Sequence, residues 1–149
     1  MHPLASSALQ DVVELHAFFE AWLGGAAPKS EAAFARLEDA LAPSFTMVAP
    51  DGQRLGRDEV VASLRMAHGS RAGVRFRIGV QDAEALFLAP PVVTVGYIEE
   101  QEANGQVTRR RSTAVLAARA GGGRTLWHAL HETWIAADPS LSGSRPSLP

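Results

Sequence analysis

Cysteine is absent from the chain, which excludes disulfide cross-links, thiolate metal sites and a cysteine nucleophile. No apolar run approaches the ~18 residues that a membrane-crossing helix needs. The opening Met1-His2-Pro3-Leu4-Ala5 has neither the basic stretch nor the apolar stretch of a secretory signal. A cytoplasmic protein that does not span a membrane is therefore expected. A cationic surplus is missing as well: the net charge of −2 gives no general attraction to a phosphate backbone, so no nucleic-acid partner is expected. Lys29 is the one lysine among fourteen basic residues. The only glycine-rich run, Gly121-Gly122-Gly123, leads into a strand-like segment and lacks the helix N-terminus and lysine of a phosphate loop. With no nucleophilic serine elbow either, the sequence implies no cofactor.

The rest is ordinary for a folded domain. A chain of 149 residues with 46% hydrophobic and 20% charged residues can close a core without metal or disulfide staples. Ser6 or Ser7 offers an N-cap for a helix running to Gly24-Gly25, with Leu9, Val12, Val13, His16, Phe19 and Leu23 at helical spacing. Ser30 caps a second helix expected to run through Leu41 and to stop at Pro43. Phe45, Met47 and Ala49 then alternate as in a strand, and Asp51-Gly52 supplies a tight turn. Arg57-Asp58-Glu59 opens a third short helix. Four strand-like segments follow, at about 75–88, 92–102, 106–119 and 125–136. They are joined by Pro90-Pro91, Asn104-Gly105 and the triple glycine, which predicts an antiparallel meander. Residues 1–6 read as an N-terminal extension, 7–136 as one α+β domain, and 137–149, rich in proline and serine, as a disordered tail.

The order helix, helix, short hairpin, helix, four-strand meander resembles the nuclear transport factor 2-like superfamily. Two stretches carry the likeness: the hairpin and third helix from Phe45 to Val60, and the sheet-closing Gly123-Arg124-Thr125-Leu126-Trp127-His128-Ala129-Leu130-His131-Glu132-Thr133-Trp134. The second is similar to the ending of many SnoaL-like and ketosteroid-isomerase-like members of unknown function. The resemblance implies a cystatin-like cone: three helices of the N-terminal half packed on a strongly curved antiparallel sheet that encloses a mostly apolar pocket. It also implies a homodimer through the exposed sheet face.

Polar candidates for that pocket concentrate in the last hairpin. With the triple glycine as a three-residue loop, Thr113 falls opposite His131 and Arg111 opposite Thr133. One face then carries Arg111, Thr113, Val115, Trp127, Ala129, His131 and Thr133; the other carries Arg110, Ser112, Ala114, Leu116, His128, Leu130, Glu132 and Trp134. A different loop length changes this pairing. The first face matches the family's histidine and serine-or-threonine positions, which assigns His131 as a catalytic base and Arg111, Thr113 and Thr133 as ligand contacts. The plainer alternative is a satisfied sheet histidine beside a surface arginine. His16, within the apolar stripe of the first helix, is a further candidate contact, and Trp22, Met47 and Tyr97 are candidate walls, although such residues are commonly plain core. No metal is expected, since His128 and His131, three apart on a strand, face opposite ways. With Gly56 aligned to the family's glycine before the third helix, the resemblance puts the isomerase's carboxylate base near Met47, and the first helix has no tyrosine, which argues against steroid isomerase chemistry; an offset of four residues would bring Asp51 there instead, a residue the tight turn already explains.

These readings lead to a pocket protein binding a small, partly apolar molecule that can carry an anionic group. The alternatives are a cofactor-independent isomerase, dehydratase or cyclase with a histidine base, and an oligomerisation module.

Overall fold

The computed structural model describes residues 1–136; the tail expected at 137–149 lies outside the described residues. Helix α1 spans Pro3–Gly24. Pro3 suits a first helical position, where its missing N–H needs no partner, and the His2 ring accepts the Leu4 N–H at 3.0 Å. The helix therefore starts at Pro3 and not at Ser7, and takes in most of the segment read as an extension. It ends where Gly25 turns left-handed at φ 84 and donates to the Trp22 carbonyl.

Helix α2 (Glu31–Glu38) has the predicted cap, the Ser30 hydroxyl accepting from the Ala33 N–H at 3.1 Å. It stops short of Leu41 because Leu41–Val48 forms strand β1. The Trp127 N–H donates to the Ala40 carbonyl at 2.7 Å, and this bond to the sheet replaces the next helical turn. Pro43, expected to end the helix, lies inside β1, in the stretch between Leu41 and Thr46 where the pairing register shifts. The Asp51-Gly52 turn forms as predicted, Asp51 accepting from the Gln53 N–H, and leads to β2 (Arg54–Gly56). Glu59 reaches back to the Gly56 N–H at 3.1 Å to open α3 (Arg57–Met66).

Four long strands follow: β3 (Phe76–Ala89), β4 (Val92–Ala103), β5 (Gln106–Ala117) and β6 (Leu126–Ile135). The six-stranded sheet has the order β2-β1-β6-β5-β4-β3. The meander is antiparallel, but β1 runs parallel to β6, so the sheet is mixed and open and not wholly antiparallel. Neighbours in sequence signal their own pairing, whereas β1 and β6 are distant segments whose contact no local turn announces. Curvature comes from irregular pairing between Gln81 and Glu84, where Asp82 has φ 53, and again between Ala85 and Phe87. The three helices pack on the concave face. Val12, Leu15, Trp22, Phe34 and Leu37 there meet Val93, Val95, Leu116 and Trp127, all fully or nearly fully buried. The α+β cone is thus as expected, and no helix among the described residues is long and apolar enough to cross a membrane.

Candidate functional site

Strict alternation along β4 buries Val93, Val95, Tyr97 and Glu99 on one face, so an apolar stripe ends in a carboxylate. The pairing registers Tyr97 with Ser112 and Glu99 with Arg110 on β5, and Ser112 with Glu132 on β6. Period-two alternation across three strands thereby gathers Tyr97, Glu99, Arg110, Ser112 and Glu132 on the concave face. Helix α1 adds His16 from above. A cavity of about 240 Å³ opens over them, walled by Phe19, Met47, Leu55, Trp127 and Leu130.

The polar groups form two hydrogen-bonded sets, His16 with Glu99 and Gln101, and Glu132 with Ser112 and Arg110. His16 Nδ1 is hydrogen-bonded to the Val12 carbonyl at 2.7 Å and Nε2 to Glu99 at 3.0 Å. Glu99 also accepts from Gln101. Ser112 donates to Glu132 at 3.3 Å, and Arg110 does so at 3.4 Å while its guanidinium lies over the Trp134 ring. Burial pushes the Glu99 carboxyl up, but the hydrogen bond and charge of His16, helped by Arg110 and Gln101, outweigh it and hold its pKa below the ordinary value. Glu132 goes the other way: burial and the Glu99 charge raise its pKa against the pull of Arg110. Burial, then the charges of Glu132 and Glu99, raise the Tyr97 phenol well above its usual value. The Tyr97 hydroxyl is covered and has no hydrogen-bond partner of good geometry, although Ser112 is close enough to oppose that rise.

Among the residues singled out from sequence, His16, Met47 and Tyr97 line this cavity. Trp22 is 2% exposed but stands outside it, its indole N–H donating to the Leu64 carbonyl at 2.7 Å. Arg111, Thr113, His131 and Thr133 are exposed on the opposite side of the sheet. Thr113 does pair with His131, and Arg111 with Thr133, as counted. The face assignment is what needs correcting. A bulge between Val115 and Leu116 pairs Leu116 with Trp127, so Trp127 crosses to the face of Ala114, Leu116 and Leu130, and that face is the buried one. Glu99, Arg110, Ser112 and Glu132 were missed as a group. The signal for them was the unbroken alternation Val93, Val95, Tyr97, Glu99, a buried stripe carrying an acid. Among the described residues no three His, Cys, Asp or Glu side chains gather in a group able to hold a metal ion.

Comparison with known proteins adds what geometry does not. Residues 8–136 match the family model described as sucrose-6-phosphate phosphohydrolase C-terminal. Sucrose-phosphatase 2 of Nicotiana tabacum is 30% identical over 129 residues, covering 84% of this chain and 30% of that protein. A probable sucrose-phosphatase 2 of Arabidopsis thaliana is 27% identical over 124 residues, 83% of this chain and 29% of that one. The chain thus spans about a third of the length of these relatives. Among solved structures, an NTF2-like protein of unknown function from Pseudomonas aeruginosa superposes with a TM-score of 0.78 at 27% identity, covering 87% of this chain and 98% of that one. A putative ketosteroid isomerase from Shewanella frigidimarina gives 0.64 at 15% identity over 88% and 98%, a likeness of fold alone. The structural matches agree with the superfamily read from sequence. The sequence matches overturn the expected function, that of a protein for a small, partly apolar molecule that can carry an anionic group, with isomerase, dehydratase, cyclase or oligomerisation alternatives, since they liken the chain to sucrose phosphatases. On an NTF2-like fold, the chain belongs to the sucrose-6-phosphate phosphohydrolase C-terminal family.

Proposed function

We propose that this chain serves sucrose-phosphate hydrolysis as an accessory, sugar-recognising module. Cleavage of the phosphate ester falls to the part of such proteins outside the match, on the same or another polypeptide. The observation that carries this reading is the family match over residues 8–136, which spans the described domain, while the tobacco relative has only 30% of its length in the aligned part.

The cavity chemistry supports the sugar. Two carboxylates, Glu99 and Glu132, converge there with one guanidinium and one imidazole. A phosphate dianion would meet like charge, whereas hydroxyl groups donate to carboxylates. The rings of Phe19, Tyr97 and Trp127 offer flat apolar surfaces to the C–H faces of a sugar ring. At about 240 Å³ the space is below the ~300 Å³ of a common drug-sized site, in keeping with one ring of a disaccharide.

The test is phosphate release from sucrose 6-phosphate by the chain alone, by the catalytic part of a sucrose phosphatase freed of its C-terminal part, and by the two together. The expected result is no release from the chain alone and a lower KM for the catalytic part when the chain is added. Leu130→Trp, which fills the cavity, should abolish the gain. Hydrolysis by the chain alone, or a catalytic part indifferent to it, overturns the reading.

A further inference from the structure

A second depression, of about 780 Å³, lies outside the cavity, between α2, the start of β1 and the loop joining β5 to β6. Four arginines border it: Arg36 from α2, Arg57 from the start of α3, and Arg119 and Arg124 from the loop. Two acids, Glu38 and Asp39, also line it, but Glu38 is paired with Arg65 at 3.1 Å.

The arginines are anchored, and the ion pairs they make are long: Arg57 lies 3.9 Å from Asp58 and Arg124 lies 3.8 Å from Glu14, while Arg119 has none among the described residues. Arg57 donates to the carbonyls of Glu38 at 2.8 Å and Leu41 at 3.2 Å. Arg119 donates to the carbonyls of Arg124 and Asp39. Carbonyl oxygens fix a guanidinium in place but leave its charge. Arg36 has no ion pair among the described residues, and its Nη2 is covered yet without a hydrogen-bond partner. The acids whose charge reaches it, Asp11 and Glu14, are otherwise engaged. Asp11 accepts from the Thr125 N–H and hydroxyl at 2.7 and 2.6 Å, and Glu14 accepts from Gln10 at 3.0 Å and lies 3.8 Å from Arg124. Burial first, then the charge of Arg124 and more weakly that of Arg119, lower the Arg36 pKa from its ordinary value against the pull of Asp11 and Glu14. A covered, unpaired guanidinium on a long side chain gains partners by rotating toward an incoming anion.

Planar guanidinium forks match the oxygens of carboxylates and phosphates alike, and several of them drawn from different elements favour the compact, doubly charged phosphate over a singly charged carboxylate. We propose that this cleft binds a phosphate monoester or its released phosphate, with Arg36 and Arg124 closing on the phosphate oxygens while Arg57 and Arg119 supply fixed positive charge. The phosphate part of this proposal stands on the cleft alone; that the ester is a sugar phosphate rests on the proposed function.

The experiment is calorimetric titration of the whole chain at low salt with inorganic phosphate, sucrose 6-phosphate and sucrose. It is repeated on Arg36→Gln and Arg124→Gln, with circular dichroism confirming that each variant is folded. Arg124 has a side chain 59% exposed, so its replacement leaves the core intact even should Arg36→Gln fail to fold. Binding of either phosphate probe is expected, weakened by added salt and by about tenfold or more in Arg124→Gln, the loss that follows removal of a charged hydrogen-bond donor. Absence of binding by both phosphate probes, or binding that Arg124→Gln leaves unchanged, overturns the proposal. Sucrose 6-phosphate binding no tighter than phosphate, with sucrose giving no heat, supports the phosphate cleft and counts against the sugar-recognising reading. Heat from sucrose that Leu130→Trp removes and Arg124→Gln preserves supports that reading separately.

Discussion

The His16 ring and the Glu99 carboxylate meet at 3.0 Å and tie helix α1 to strand β4 across the floor of the cavity, both side chains being almost wholly buried. A buried pair of this kind contributes little over an apolar pair, but removing one member strands the other charge without solvent. His16→Ala is therefore expected to cost about 3–5 kcal/mol in urea denaturation near neutral pH, and His16→Leu combined with Glu99→Leu to recover most of it. The folded pKa of Glu99 is lowered, so its stabilisation is present above the ordinary carboxylate range and lost as pH falls through the folded value. The penalty of His16→Ala should shrink in acid, where Glu99 takes a proton. A penalty constant from neutral pH down into acid would mean that lost packing, not stranded charge, is its cause.

Glu132 provides the opposite sign. Its raised folded pKa means that the native state holds the proton more tightly than the unfolded chain does. Stability then falls as pH rises from the ordinary carboxylate range through the folded value. Glu132→Gln keeps the shape and an acceptor for Ser112 while removing the charge. Its melting temperature is expected to exceed that of the parent at pH 8, with the gap closing toward pH 4. Thermal melts across that range check this, and a gap independent of pH would show that Arg110 fully offsets the buried charge.

The fold was legible because most of its boundaries are written locally. Ser30, Asp51-Gly52, Glu59 and Asn104-Gly105 each act on backbone groups within a few residues, and each appears where its chemistry requires. The parallel contact of β1 with β6 was hidden, because it joins distant segments and left Pro43 looking like a helix stop. The site was harder still. Counting across the last hairpin correctly paired Thr113 with His131, yet one extra residue near Trp127 decides which aromatic ring faces inward. A likeness to family positions favoured His131, an exposed residue, over Glu132, its buried neighbour. The acid in the β4 stripe was a physical signal and pointed to the right face.

The turn between β4 and β5 tests the local part of that account. Asn104 and Gly105 both adopt left-handed backbone, at φ 51 and 82, the pattern of a two-residue hairpin turn whose twist suits its strands. A side chain at the second position costs about 1–2 kcal/mol in that conformation. Gly105→Ala is expected to lose about that much in urea unfolding. Gly121→Ala, at a glycine with nothing within 4 Å and no left-handed φ, should be close to neutral. Equal effects at the two sites would show that the turn relaxes to another type.

Tyr97 joins stability to binding. Its ring is packed in the core at 2% exposure, while its hydroxyl is covered and lacks a good partner. An unpaired buried hydroxyl is destabilising by about 1–3 kcal/mol, so Tyr97→Phe should melt no lower than the parent chain, and higher if the whole penalty is relieved. The Tyr97 side chain lines the cavity, and a small turn of its ring toward a bound sugar would give the covered hydroxyl its missing partner. Sucrose affinity in calorimetric titration is therefore expected to drop about tenfold in Tyr97→Phe even as stability holds, since one good hydrogen bond is worth about that factor. A fall in stability would show the hydroxyl already paired in the folded chain through Ser112, and unchanged affinity would place the sugar away from this floor.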